Sequence, residues 1–367
     1  MKLKTAILFA SACSALLSCN REEALEIVNP DAAYFPPTST GKWDSVSPES
    51  LNWNTGEIQP LYDYLESNGT RAFIILQNGR IVVEKYWGTE AVGNRTFSND
   101  SNWYWASASK TIVAVLVGIA QGNGQLDINK SVSAYLGNGW STLTAQQEDQ
   151  IKVAHHLQMT TGLDYTVPDL DCVEPACFVY KSSPNQEWHY HNGPYTLLHQ
   201  VIQATTDQEI GEFSAQNLES IIGMAGGWRP VGGRMMYVGT ARDAARFGLL
   251  LLNEGDWDNT TVLEDKEYFN QMTNPSQQLN PSYGYLTWLN GEASYIPPQS
   301  ERTVSSQLVS NAPADLYAAL GFNGQFIDVV PSKDMVVIRL GQAPDESLVP
   351  IDFPDISHLF DRGEHLI

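Results

Sequence analysis

The spacing of apolar and polar residues changes several times along this chain, and each change marks an element. Residues 72–77 read Ala-Phe-Ile-Ile-Leu-Gln, residues 80–87 read Arg-Ile-Val-Val-Glu-Lys-Tyr-Trp, and Asn78-Gly79 lies between them. Two β-rich runs joined by Asn-Gly predict a hairpin. Residues 112–120 are then apolar nearly all round, which predicts a helix buried at the centre of the molecule. The run is too short to span a bilayer.

The middle of the chain carries helical spacing. Helices are predicted over 153–160, 195–205, 208–222 and 240–253. In the second, Leu197, Leu198, Val201 and Ile202 share one face. In the last, Asp243 suits the positive first turn and Gly255 lies just past the end. The Gly-rich segment 223–233 reads as a loop that approaches other backbone closely. Strand character returns over 283–288, 316–320, 325–330 and 335–340, with Pro331-Ser332-Lys333-Asp334 as the turn between the last two. Strands at both ends with helices between predict an α+β fold. Its antiparallel sheet would be built from both chain ends, flanked by helices, with a mainly helical insertion over roughly 125–280.

The chain has 367 residues and a formal net charge of −21. Such acidity repels phosphate backbones and argues against a nucleic-acid partner. The start of the chain differs from the rest. Lys2 and Lys4 precede a short apolar run, which ends in Leu16-Leu17-Ser18-Cys19. This reads as an export signal over 1–18. Leu16 to Cys19 resemble a bacterial lipobox, which implies cleavage before Cys19 and lipid on its thiol. Residues 19–47 then form a tether and 48–367 a single catalytic domain. The expected location is outside the cytoplasm, on the periplasmic side or cell surface, with the membrane reached only through the lipid. Plain secretion, with Cys19 incidental, is the alternative. Cys13 lies in the signal. Cys172 and Cys177 remain, and in an oxidising compartment they are expected to close a small disulfide loop.

Ser107 and Lys110 carry the first candidate chemistry, in Trp105-Ala106-Ser107-Ala108-Ser109-Lys110 at the predicted start of the apolar helix. Positions i and i+3 share a helix face. A partly desolvated lysine there can help take the serine proton. The same four residues also fit an ordinary capped core helix. Two further elements stand later in the chain. Tyr190 and Asn192 form a Y-x-N within Trp188-His189-Tyr190-His191-Asn192, and Gly321-Phe322-Asn323-Gly324-Gln325 enters a late strand.

Taken in this order, S-x-x-K, Y-x-N and the glycine-containing strand entry resemble the serine β-lactamase and penicillin-binding-protein superfamily. The nearest branch holds class C β-lactamases and related serine hydrolases. Leu126–Val132, His156-Leu157-Gln158-Met159-Thr160-Thr161-Gly162-Leu163 and Ala241-Arg242-Asp243-Ala244-Ala245-Arg246-Phe247-Gly248 resemble further stretches of that family. The likeness covers roughly residues 70–340.

The resemblance implies an acyl-serine mechanism that needs no cofactor and no metal. Ser107 is the implied nucleophile and Lys110 holds or relays its proton. Tyr190 is the implied general base, its phenol pKa lowered by the lysine charge. Asn192 orients the lysine and the substrate. The oxyanion hole is formed by the amides of Ser107 and Gln325, the latter held by Gly324. Asn323, Phe322, Trp105 and Trp288 are candidate substrate contacts. His189 and His191, on either side of Tyr190, are expected to be structural or cleft-wall residues. Where relatives place Lys or His in the third element, this chain has Phe322, so the usual cation for a substrate carboxylate is missing. Arg234 or Arg302 are the loop residues able to replace it. The expected function is therefore an exported esterase- or amidase-type serine hydrolase acting on a small ester or amide. A β-lactamase or D,D-carboxypeptidase is one alternative, and a non-catalytic binding lipoprotein on the same fold is another.

Overall fold

The computed structural model describes residues 33–39 and 41–343. The expected export signal, Cys19 and the first part of the tether lie outside the described residues. Among the described residues no helix is long and apolar enough to cross a membrane.

Six strands form the main sheet. They are β1 (Thr70–Gln77), β2 (Arg80–Tyr86), β8 (Trp288–Leu289), β9 (Tyr317–Gly321), β10 (Gln325–Val330) and β11 (Met335–Gly341). Their spatial order is β2-β1-β11-β10-β9-β8. Every neighbouring pair is antiparallel. Ile74 of β1 lies opposite Ile338 of β11, so the two ends of the chain are joined side by side, as the pattern predicts. β10 and β11 have no exposed residue. That explains why they read as continuous apolar runs instead of alternating ones. The expected hairpin turn is present, with Asn78 at φ 49° and Gly79 at φ 78°.

The apolar helix runs Ser109–Gly122 and is buried from Ser109 to Ala120. The helix Ala241–Leu252 begins with a capping box, in which Thr240 and Asp243 bond each other's backbone amides. It lies across β1, β10 and β11. Helices Val153–Leu157 and Asn192–Thr206 replace the expected 153–160 and 195–205. The predicted helix 208–222 is broken into Ile210–Ser214, a π-helical turn Ala215–Glu219, and Ser220–Ile222.

Two expectations are corrected. The Gly-rich segment is not simply a loop. Gly227–Val231 forms β4 and pairs with β5 (Arg234–Gly239), while β3 (Trp103–Tyr104) pairs with the other side of β5. Gly232 and Gly233, at φ 56° and 81°, make the tight turn that the glycines permit. Conversely, 283–288 is not a strand. Leu286 sits at φ 50°, and only Trp288–Leu289 pairs with β9. A β6–β7 ribbon of two residues each, Asp256–Trp257 and Thr260–Thr261, completes the strands.

Candidate active site

Ser107 sits in a short 3-10 turn, Ala106–Ala108, that leads into the central helix. Ala106 before it has φ 47°, a conformation that costs a non-glycine residue energy. The turn is held by β5. Trp105 N–H donates to the Tyr237 carbonyl at 3.0 Å, and Tyr237 N–H donates to Ser109 Oγ at 2.9 Å. Lys110 Nζ reaches Ser107 Oγ at 3.0 Å, as i, i+3 spacing predicts.

Lys110 is 6 % exposed. Its Nζ lies 4.8 Å from the Tyr190 ring centre and 4.6 Å from that of Tyr195. Burial is the main cause that lowers its pKa to about 7; Asp171 opposes the shift and Arg234 adds to it. A lysine so placed is half neutral near neutral pH and is able to accept a proton.

Tyr190 hydrogen-bonds Ser107, yet burial dominates and raises its phenol pKa above the usual range. This corrects the expectation of a lowered phenol: desolvation outweighs any help from the lysine, so the hydroxyl stays protonated. Its ring stacks on Trp288 at 5.9 Å and meets Tyr283 at 6.2 Å. Trp288, only 2 % exposed, therefore backs Tyr190 and does not line the cleft.

A cleft of about 520 Å³ opens over Ser107, Lys110, Asn192, Phe322 and Asn323. Asn192 donates from Nδ2 to Asp171 at 2.8 Å, and its buried Oδ1 has no hydrogen-bond partner. Asp171 in turn forms an ion pair with Arg234. Asp171 stands beside the loop closed by the Cys172–Cys177 disulfide, which the sequence leads one to expect.

Besides Trp288, three predicted site residues lie elsewhere. Gln325 is wholly buried and paired with Gly321. Its Nε2 donates to the carbonyls of Phe322, Asn323 and Gly341 at 3.0, 3.0 and 2.7 Å. Its Oε1 accepts from Gly341 N–H at 3.0 Å. Gln325 clamps the turn from behind. Gly324 serves the same turn, its carbonyl accepting from Arg339 at 2.6 Å. Trp105 is fully buried against Tyr237, at 4.6 Å. The glycine that meets the nucleophile turn is Gly321: a Cβ there would fall 2.3 Å from the Trp105 carbonyl oxygen. Phe322, the next residue, lines the cleft beside Ser107 and is 44 % exposed.

Tyr195, Tyr104 and Asp171 line the cleft but are missed by the motifs. Tyr195 had a legible sign, since it stands about one helical turn beyond Asn192. Tyr104, whose hydroxyl accepts from Asn323 Nδ2 at 2.8 Å, and Asp171 had none. Arg302 is exposed and does not line the cleft. His189 stacks on Tyr165 at 3.8 Å. His155 and His156 are taken up by the Lys152 amide at 3.0 Å and the Pro194 carbonyl at 2.7 Å.

A family model described as Beta-lactamase matches residues 68–353. An uncharacterized protein of Alkalihalophilus pseudofirmus is 23% identical over 314 residues, covering 77% of this chain and 86% of the relative. The structure is similar to a protein described provisionally as a 6-aminohexanoate-dimer hydrolase from Bacillus anthracis. The TM-score is 0.67 at 16% identity, over 90% of this chain and 89% of the other. It is also similar to a family VIII carboxylesterase, with TM-score 0.62 at 15% identity, over 85% and 97%.

Proposed function

The chain belongs to the beta-lactamase family of serine hydrolases, and from that premise we propose that it is an exported esterase- or amidase-type hydrolase acting through an acyl-Ser107 intermediate. The observation that carries this reading is the 3.0 Å contact between Ser107 Oγ and the buried Lys110 Nζ.

In the proposed cycle neutral Lys110 takes the Ser107 proton as Oγ attacks the acyl carbon. The oxyanion is received by the Ser107 amide and by the amide of Phe322, which stands at the cleft beside the nucleophile turn. Tyr190, protonated and hydrogen-bonded to Ser107, relays a proton to the departing alcohol or amine. Water then attacks the acyl-serine by the reverse proton path and frees Ser107. An esterase or amidase fits better than a β-lactamase or D,D-carboxypeptidase because, with Gly321 as the glycine at the nucleophile turn, the position two residues earlier, where those relatives carry a cation, is Ala319. In this reading the enzyme works outside the cytoplasm, lipid-anchored at Cys19, and the Cys172–Cys177 disulfide supports an oxidising compartment.

A fluorophosphonate probe and intact-mass analysis test the chemistry. Wild type should gain one adduct on Ser107, and Ser107→Ala none. Equal labelling of both proteins overturns the nucleophile assignment. Turnover of a chromogenic cephalosporin faster than short-chain p-nitrophenyl esters would favour the β-lactamase alternative. Fatty-acid labelling that is lost in Cys19→Ala tests the anchor.

A further inference from the structure

Among the described residues, Lys110 and Arg234 are the two cationic side chains that line the cleft, and Asp171 is its carboxylate. Arg234 and Asp171 meet as an ion pair, so the positive charge at the cleft mouth is offset by a negative one beside it. Asp171 is held firmly in this role. Its second oxygen accepts from Asn192 at 2.8 Å. The disulfide begins at the next residue, and the Gly193 amide donates to the Leu170 carbonyl at 2.7 Å. Arg234 extends from the β4–β5 turn on the other wall. The pair thus bridges the disulfide loop and the hairpin. Around it the lining is apolar: Val173 on the loop, Val231, Met235 and Met236 on the hairpin, and Phe322 opposite. Met235 and Phe322 are 42 % and 44 % exposed, the kind of apolar surface that binds apolar ligands.

We propose that Asp171 is a specificity-determining residue: by neutralising Arg234 across the cleft mouth it denies carboxylate-bearing substrates a cation and reserves the site for esters or amides with uncharged, apolar acyl groups. This rests on the acyl-Ser107 reading and deepens it. A substrate carboxylate that approaches Arg234 meets the Asp171 carboxylate beside it, a like-charge contact that disfavours binding. An uncharged acyl chain can lie against the valine, methionine and phenylalanine side chains of that wall. The same pair is balanced toward the base. Asp171 raises the Lys110 pKa and Arg234 lowers it. The other titratable groups near Lys110 are Tyr190 and Tyr195, whose phenols burial keeps neutral, and His199, which burial also keeps neutral.

The test compares p-nitrophenyl butyrate with p-nitrophenyl hemisuccinate, which share a leaving group and differ by an acyl carboxylate. Wild type should prefer the butyrate. Asp171→Asn should shift the kcat/KM ratio toward the hemisuccinate by about tenfold, the worth of one charge-assisted contact. The double variant D171N/R234Q should lose that gain. The acid limb of the pH–rate profile should move down in D171N and up in R234Q, opposite shifts that a merely structural role does not produce. An unchanged ester ratio in D171N, or a gain that survives in D171N/R234Q, overturns the proposal. If D171N does not fold, R234Q decides alone: it should disfavour the hemisuccinate further, and an unchanged ratio is the overturning result. Ser107→Ala separates the two readings. Butyrate turnover that persists in S107A sinks the acyl-serine chemistry, whereas a dead S107A with an unmoved ester ratio in D171N sinks only the role of Asp171.

Discussion

Lys110 Nζ stands 3.0 Å from Ser107 Oγ while its own side chain is nearly sealed from water. Proximity and desolvation act together here. The contact gives the serine proton somewhere to go, and the burial makes the lysine willing to take it. With a pKa of about 7 in the folded protein, Lys110 is protonated and inactive as a base at low pH. The acid limb of kcat/KM for a neutral ester should therefore bend near pH 7 and level off above it. Lys110→Met should remove that limb, lower turnover by about a thousandfold, and raise Tm, since a buried ammonium is replaced by an apolar side chain. A limb unchanged in shape in wild type and variant rules out Lys110 as the base.

Tyr190→Phe keeps the ring that stacks on Trp288 at 5.9 Å and deletes only the hydroxyl that hydrogen-bonds Ser107. The expected result is a fall in kcat of roughly a hundredfold or more with little change in Tm. Steady-state kinetics beside thermal melts check this, and wild-type kcat in the variant removes Tyr190 from the proton path.

Gly321 has no room for a side chain, because a Cβ would fall 2.3 Å from the Trp105 carbonyl oxygen and 3.1 Å from the Ala108 amide nitrogen. Gly321→Ala should push the Phe322 amide away from Ser107 and lower kcat/KM by about a hundredfold, the order expected when one oxyanion donor is lost. Burst kinetics with a p-nitrophenyl ester locate the loss in acylation. Gln325→Ala, by contrast, should act mainly on stability, since it removes the bonds that brace the turn from behind.

Asp328 is a buried carboxyl on β10 with neither oxygen hydrogen-bonded. Burial raises its pKa to about 8, from a usual value near 3.8 in the unfolded chain. The folded state then binds more protons than the unfolded state between those limits. Stability is fully retained below the lower value and is lost as pH rises through the upper one, with a slope of at most about 1.4 kcal/mol per pH unit from this group. Asp328→Asn should flatten that part of the Tm–pH curve. A curve identical to wild type excludes Asp328 as its cause.

How far the sequence reached differs from residue to residue. The hairpin at Asn78-Gly79 was legible because that dipeptide has a local turn preference that needs no partner. The pairing of Ser107 with Lys110 was legible because helical geometry relates i to i+3 wherever the helix lies. The β4–β5 hairpin was not, because Pro230 and the glycines obscured a strand whose stability comes from β5 and, through it, β3. Gln325 was misplaced for a related reason. Its motif marks a strand entry, but which amide of that entry faces the serine depends on the register of β9 with β10, and that register presses Gly321 onto the turn.

By itself, then, the chain determined the features that local spacing dictates: most element types, a sheet built from its two ends, the S-x-x-K and Y-x-N groups, and the small disulfide loop. Only the tertiary structure decided the quantities that depend on neighbours across space. Burial, which no short motif encodes, set the Lys110 pKa down and the Tyr190 pKa up. It turned Trp105 and Trp288 from candidate substrate contacts into supports. The packing of a loop against a hairpin brought Asp171 to Arg234 across 63 residues of chain, and that meeting gives the cleft mouth its charge balance.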